Sequence, residues 1–148
     1  MIKHIGIFAL LLFVVFSINS EEAEEFSFPP QAVLNASLQG DEETLRLILQ
    51  AGTDRDVRTS LGDTALHLAV YQPNPNVIWL LLEHGFDSNA RNNMGNTPLH
   101  NAVSANNENA VSLLLRYRAN RDIRNSAGIS PLEKARQEGK MRLVRLFR

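Results

Sequence analysis

A chain of 148 residues with 44% apolar side chains is one domain's length and has the material for a core. It contains no cysteine, which excludes a disulfide framework, a thiolate metal site and a cysteine nucleophile. The net charge of −1 hides two opposed ends: residues 21–63 hold ten acids against three arginines, and residues 97–148 hold ten lysines and arginines against four acids.

Residues 1–20 open with Lys3 and His4, continue through an uncharged, almost wholly apolar run of 14 residues from Ile5 to Ile18, and end on small polar Asn19 and Ser20. A basic start, a short apolar centre and a small-residue end make a secretory signal peptide. The run is short of the roughly 20 residues that a spanning helix needs. An uncleaved anchor is the alternative. Lys3 stays inside in either case, and the rest of the chain is exported to a periplasm or out of the cell. Residues 21–30 then carry four glutamates and Pro29-Pro30, a linker composition with little to bury. Phe26 and Phe28 are its exceptions, and they are expected to fold back on the open end of the first repeat.

From residue 31 onward the chain repeats itself. Thr64-Ala65-Leu66-His67, Thr97-Pro98-Leu99-His100 and Ser130-Pro131-Leu132-Glu133 recur every 33 residues without insertion or deletion. Ala36, Ala69, Ala102 and Ala135 share one column; Gly62, Gly95 and Gly128 share another; Leu47, Leu80, Leu113 and Leu146 share a third. A fixed period of this length signals a stacked array. At these residues the chain resembles the ankyrin repeat family, whose hallmark is the Thr-Pro-Leu-His run. The resemblance implies an all-α solenoid of helix-turn-helix units joined by β-hairpin-like turns. It divides the chain into repeats 31–63, 64–96, 97–129 and a truncated cap, 130–148.

Within each unit a short helix, a loop and a second helix are predicted. The first unit is degenerate, with Gln31-Ala32-Val33-Leu34 in place of the hallmark, although Leu45, Leu47, Ile48 and Leu49 keep a helical stripe. In the second, the loop reads Gln72-Pro73-Asn74-Pro75-Asn76, and its second helix is expected over 77–83, stopping at Gly85. In the third, Thr97 caps, Pro98 suits the first turn, and Asn106 supplies a left-handed loop residue. In the cap, Arg142, Arg145 and Arg148 lie three apart on one side of the last helix, a polar face for the end of the stack.

His67 and His100 invite a catalytic reading. Recurrence at a fixed offset assigns them to the repeat instead, and the resemblance implies that each bonds the Thr side chain and the adjoining turn. They lack a carboxylate at ligand spacing, so no metal site is expected. No nucleophile elbow, phosphate-cradling glycine loop or His-Glu-x-x-His run occurs, and neither cofactor nor enzymatic activity is expected. Nucleic acid is disfavoured by a basic patch confined to one end and by the lack of aromatic platforms.

What remains is surface. The resemblance implies that partners are held by the hairpin tips and inner helices, along a concave groove. The tip columns hold Arg58, Arg91 and Arg124; Ser60, Asn93 and Ser126; Leu61, Met94 and Ala127; and Asp63, Asn96 and Ile129. Tyr71, Ser104 and Gln137 come from the inner helices. The arginines form a ladder able to engage carboxylates bidentately, unless they serve the repeat itself. Trp79, in a column with Arg46, Ser112 and Arg145, either packs against the 73–75 loop or anchors a partner on the outer face. The expected function is protein–protein interaction by an exported monomer. The charge asymmetry either keeps both ends wet or steers an acidic partner to the C-terminal end. A membrane-tethered structural protein is the alternative, and an enzyme with an unrecognised site a more distant one.

Overall fold

The computed structural model describes residues 27–148, so the signal-like segment and Phe26 lie outside the described residues. Eight helices follow in pairs: α1 (Ala32–Gln39) with α2 (Glu42–Ala51), α3 (Ala65–Ala69) with α4 (Pro75–Glu83), α5 (Pro98–Ser104) with α6 (Glu108–Arg116), and α7 (Pro131–Gln137) with α8 (Met141–Leu146). No strand occurs among the described residues, and no helix there is long and apolar enough to cross a membrane. Helices α1, α3, α5 and α7 pack successively into one row, and α2, α4, α6 and α8 into a second.

Helix starts follow the local sequence. Thr64, Thr97 and Ser130 adopt extended backbone ahead of α3, α5 and α7, and Pro98 and Pro131 occupy the first turn, where a missing N–H costs nothing. Asp41, Asn74 and Asn107 cap α2, α4 and α6 by accepting backbone N–H groups. Helix α4 thus begins at Pro75, two residues earlier than the sequence suggested: Pro75 is a helix starter and Asn74 its cap, so the loop is shorter than its two prolines imply. The loop column 40, 73, 106 and 139 needs left-handed backbone in three copies, at Gly40 (φ 69°), Asn106 (φ 54°) and Gly139 (φ 68°). Pro73 cannot adopt it. Proline also disfavours helical backbone at the residue before it, and α3 is correspondingly two residues shorter than α5 and α7.

The core is a ladder of equivalents. Leu45, Ile78 and Val111 are fully buried in one column, and Leu66 and Leu99 in another. Ala69, Ala102 and Ala135, also fully buried, let neighbouring helices approach closely. Burying one such leucine stabilises by about 1.5–3 kcal/mol. The columns loosen where a neighbour runs out. Leu47 is 42% exposed at the first repeat, whereas Leu80 below it is 3% exposed. At the other end Leu132 and Val144 are half-buried, and exposed Arg136 stands where Val70 and Val103 are buried. Phe28 packs against the core beside the start of α1, as expected of it.

Candidate functional site

Each hairpin between repeats is folded by a residue that the sequence reading passed over. Asn92 Oδ1 accepts the N–H groups of Met94 and Asn96, both at 3.0 Å, and Asn125 Oδ1 accepts those of Ala127 (3.0 Å) and Ile129 (3.1 Å). Thr59 Oγ1 does the same, more loosely, for Leu61 and Asp63. The amides then reach back one repeat: Asn92 Nδ2 donates to Asp63 Oδ1 (2.8 Å) and Asn125 Nδ2 to Asn96 Oδ1 (2.9 Å). The signal was a Thr, Asn, Asn column at the same 33-residue offset, one place after the arginines.

The arginine column is bound into this scaffold. Arg58 Nη1 donates to the carbonyls of Gly62 (3.0 Å) and Arg91 (2.9 Å), and Arg91 Nη2 donates to the Arg124 carbonyl (2.9 Å). Arg124 ends the series, donating to the Gly128 carbonyl and meeting Glu133 through two nitrogens at 2.6 and 2.8 Å. That guanidinium, with the Ser130 N–H, holds the Glu133 carboxyl at about 2. Backbone bonds complete the join: Asn93 N–H to Leu61 carbonyl and Ser126 N–H to Met94 carbonyl, both at 3.0 Å. Asn93 Nδ2 adds a bond to the Ser60 carbonyl. The hairpins therefore form one hydrogen-bonded edge, with several of the arginine donors spent on it.

Beneath them sit the histidines. Thr64 N–H and hydroxyl face His67 Nδ1 at 3.2 and 2.9 Å, and Thr97 faces His100 Nδ1 at 3.1 and 2.9 Å. The opposite nitrogens lie 2.9 Å from the carbonyls of Asn96 and Ile129 in the following hairpin. A carbonyl can only accept, so Nε2 carries the proton and Nδ1 accepts. Burial lowers the pKa of both rings, since charging them would cost desolvation. A neutral imidazole with both nitrogens satisfied joins one repeat to the next, and it is a structural cross-tie.

Side chains not spent on the scaffold are mostly apolar. Leu61 is 67% exposed and Met94 68%, one above the other on successive hairpins. Tyr71 and Leu38 stand exposed in the next column, at the ends of α3 and α1; Leu38 went unnoticed in the sequence because its repeat lacks the hallmark. Burial and then nearby Asp63 raise the Tyr71 hydroxyl pKa, so the phenol and carboxylate share this face. Ser104 donates to the His100 carbonyl at 3.1 Å, and Ile129 is half-buried. Trp79 is elsewhere. It lies exposed on α4 in the other row, near Tyr117, whose hydroxyl donates to Glu83. Residues 79 and 83 share one helix face, so Trp79 stands on the side of α4 where Glu83 meets Tyr117 of the next repeat.

A family model described as ankyrin repeats matches residues 33–127 in three copies. No curated protein matches the chain.

Proposed function

We propose that this chain, which belongs to the ankyrin repeat family, is an exported protein that binds another protein along the face made by its hairpin tips and the ends of the α1, α3 and α5 helices. Ankyrin repeats generally mediate protein–protein binding. The observation that carries the reading is the placement of Leu61, Met94, Tyr71 and Leu38, exposed apolar side chains on an otherwise hydrogen-bonded edge. Methionine and tyrosine are enriched in interfaces, and a preformed edge avoids the entropy of ordering a loop. Arg58, Asp63, Arg91, Asn93, Asn96, Ser104, Arg124 and Ile129 frame the apolar side chains, and Trp79 would serve a contact on the opposite row. The leader directs export in this reading, whether it is removed or retained.

The test uses the protein recovered from an exporting host, its N-terminus fixed by intact mass. It is cross-linked to the extracytoplasmic fraction beside a Leu61→Ser, Met94→Ser, Tyr71→Ser variant with unchanged circular dichroism. A protein captured by the first and lost from the second supports the reading. Equal capture moves the interface to the Trp79 row. Substituting the arginines would be a poorer test, because it would cut the bonds between hairpins as well.

A further inference from the structure

The other row of the stack carries a feature of a different kind. Where α6 and α8 end, Leu115, Ala119 and Leu146 floor a hollow of about 410 Å³, with Asn120, Arg121, Asp122 and Arg148 around it. Arg121 is fixed there by a 2.5 Å bond to the Phe147 carbonyl. Arg116 and Arg118 flank the same turn, and Arg145 is exposed on α8. Asp122 offsets one of these charges. No carboxylate among the described residues pairs with Arg116, Arg118, Arg145 or Arg148, whereas Arg124, Lys134 and Lys140 of the same repeats are all in ion pairs. Arg118 is the most telling. Its backbone is left-handed (φ 60°) at a position where earlier repeats hold Gly52 and Gly85. Such a conformation costs a non-glycine residue roughly 1 kcal/mol or more.

A hollow lined by Arg121 and Arg148 beside Leu115, Ala119 and Leu146, with Arg116, Arg118 and Arg145 close by in the sequence, fits a segment of several carboxylates next to an apolar side chain. This chain has such a segment: Glu21-Glu22-Ala23-Glu24-Glu25-Phe26. It cannot serve its own hollow. Phe26 lies two residues before Phe28, which packs beside α1, so it reaches at most about 7 Å. The hollow is three repeats away, about 24–30 Å at ordinary helix spacings. We propose that the Glu21–Phe26 segment of a second copy docks in this hollow, its carboxylates on Arg116, Arg118, Arg145 and Arg148, so that chains associate head to tail. The contact joins two different surfaces and leaves one of each free, so it can pass from chain to chain or close into a ring.

Sedimentation velocity of the exported full-length product tests this at about 0.01 M and about 1 M salt, where the screening lengths are roughly 30 and 3 Å. The expected result is concentration-dependent oligomers at low salt and monomers at high salt. Two variants sharpen it: Glu21→Gln, Glu22→Gln, Glu24→Gln, Glu25→Gln in one, and Arg118→Gly, Arg145→Gln, Arg148→Gln in the other. Each alone should be monomeric, and an equal mixture should stop at a 1:1 dimer, because only one intact contact remains. The arginine variant should melt no lower than the parent, since glycine relieves the strained turn. Monomers at low salt, oligomers that survive in either variant, a mixture that does not pair, or an exported product lacking residues 21–26 would each overturn the proposal. None of these outcomes bears on the Leu61–Met94 face, whose test is separate.

Discussion

The two middle repeats and the two terminal ones share a backbone plan but solve the same positions differently. In the middle, a buried histidine links Thr64 or Thr97 to the next hairpin; in the first repeat that column holds Leu34, and in the last it holds Glu133, turned to Ser130 and Arg124. A buried polar cross-tie is worthwhile only where a following carbonyl satisfies it, because an unpaired buried group costs about 1–3 kcal/mol. The last repeat uses a carboxylate that water can reach; the first has an apolar residue there although the Thr59–Asp63 hairpin follows it. The same logic puts Arg136 where Val70 and Val103 are buried, and lets Lys140 replace the amide of Asn107: Lys140 Nζ donates to the Val103 and Ser104 carbonyls as Asn107 Nδ2 does to those of Val70 and Gln72.

This contrast can be broken most severely in the core. Leu99→Ala, at a fully buried middle position, should lower unfolding free energy by about 2–5 kcal/mol in urea titration, whereas Leu132→Ala in the half-covered last repeat should cost less than half of that. An equal loss in both would mean that the ends are packed as tightly as the middle. The hairpins come next. A Cβ on Gly95 would lie 2.8 Å from Ser126 N, while one on Gly128 meets nothing within 4 Å, and both residues have positive φ. Gly128→Ala should therefore cost about 1 kcal/mol and Gly95→Ala clearly more, read as the difference in urea midpoint.

A substitution in the opposite direction sharpens the comparison. Ser37 Oγ is buried without a hydrogen-bond partner in the column where the middle repeats hold Val70 and Val103. Ser37→Ala should raise stability by about 1 kcal/mol, and a loss of stability would reveal a partner for the hydroxyl. The smallest effect at neutral pH is the titration of the two histidines. Burial lowers their folded pKa below the usual 6.5, so the unfolded chain takes up protons first and stability rises with pH. Stability should fall as the pH drops below about 6.5 and level off beneath the folded pKa. The dependence between pH 7 and 5 should shrink in a His67→Gln, His100→Gln variant, measured against its own value at pH 7. Below about 4.5 a further loss is expected as Glu42 and Glu133, each held at about 2, take up protons.

The array itself was legible in the sequence because repetition is a one-dimensional property: identical spacing of Thr97, Leu99, His100, Ala102 and Gly95 with their equivalents implies identical local structure and mutual burial. The structural role of His67 and His100 followed from the same columns through the family resemblance. Roles that depend on what lies one repeat away did not follow. Whether Arg58 and Arg91 face a partner or a carbonyl is decided by the hairpin that follows each of them, and an arginine reads the same in both cases. Trp79 was placed on the outer face correctly, but its neighbour Tyr117 lies 38 positions on, beyond any local pattern. The sequence determined the period, the helices and the inward columns, because these rest on side-chain type at short range. Only the tertiary structure decided which exposed side chains are spent on the scaffold and which stay free, because that depends on hydrogen-bond partners brought together by stacking.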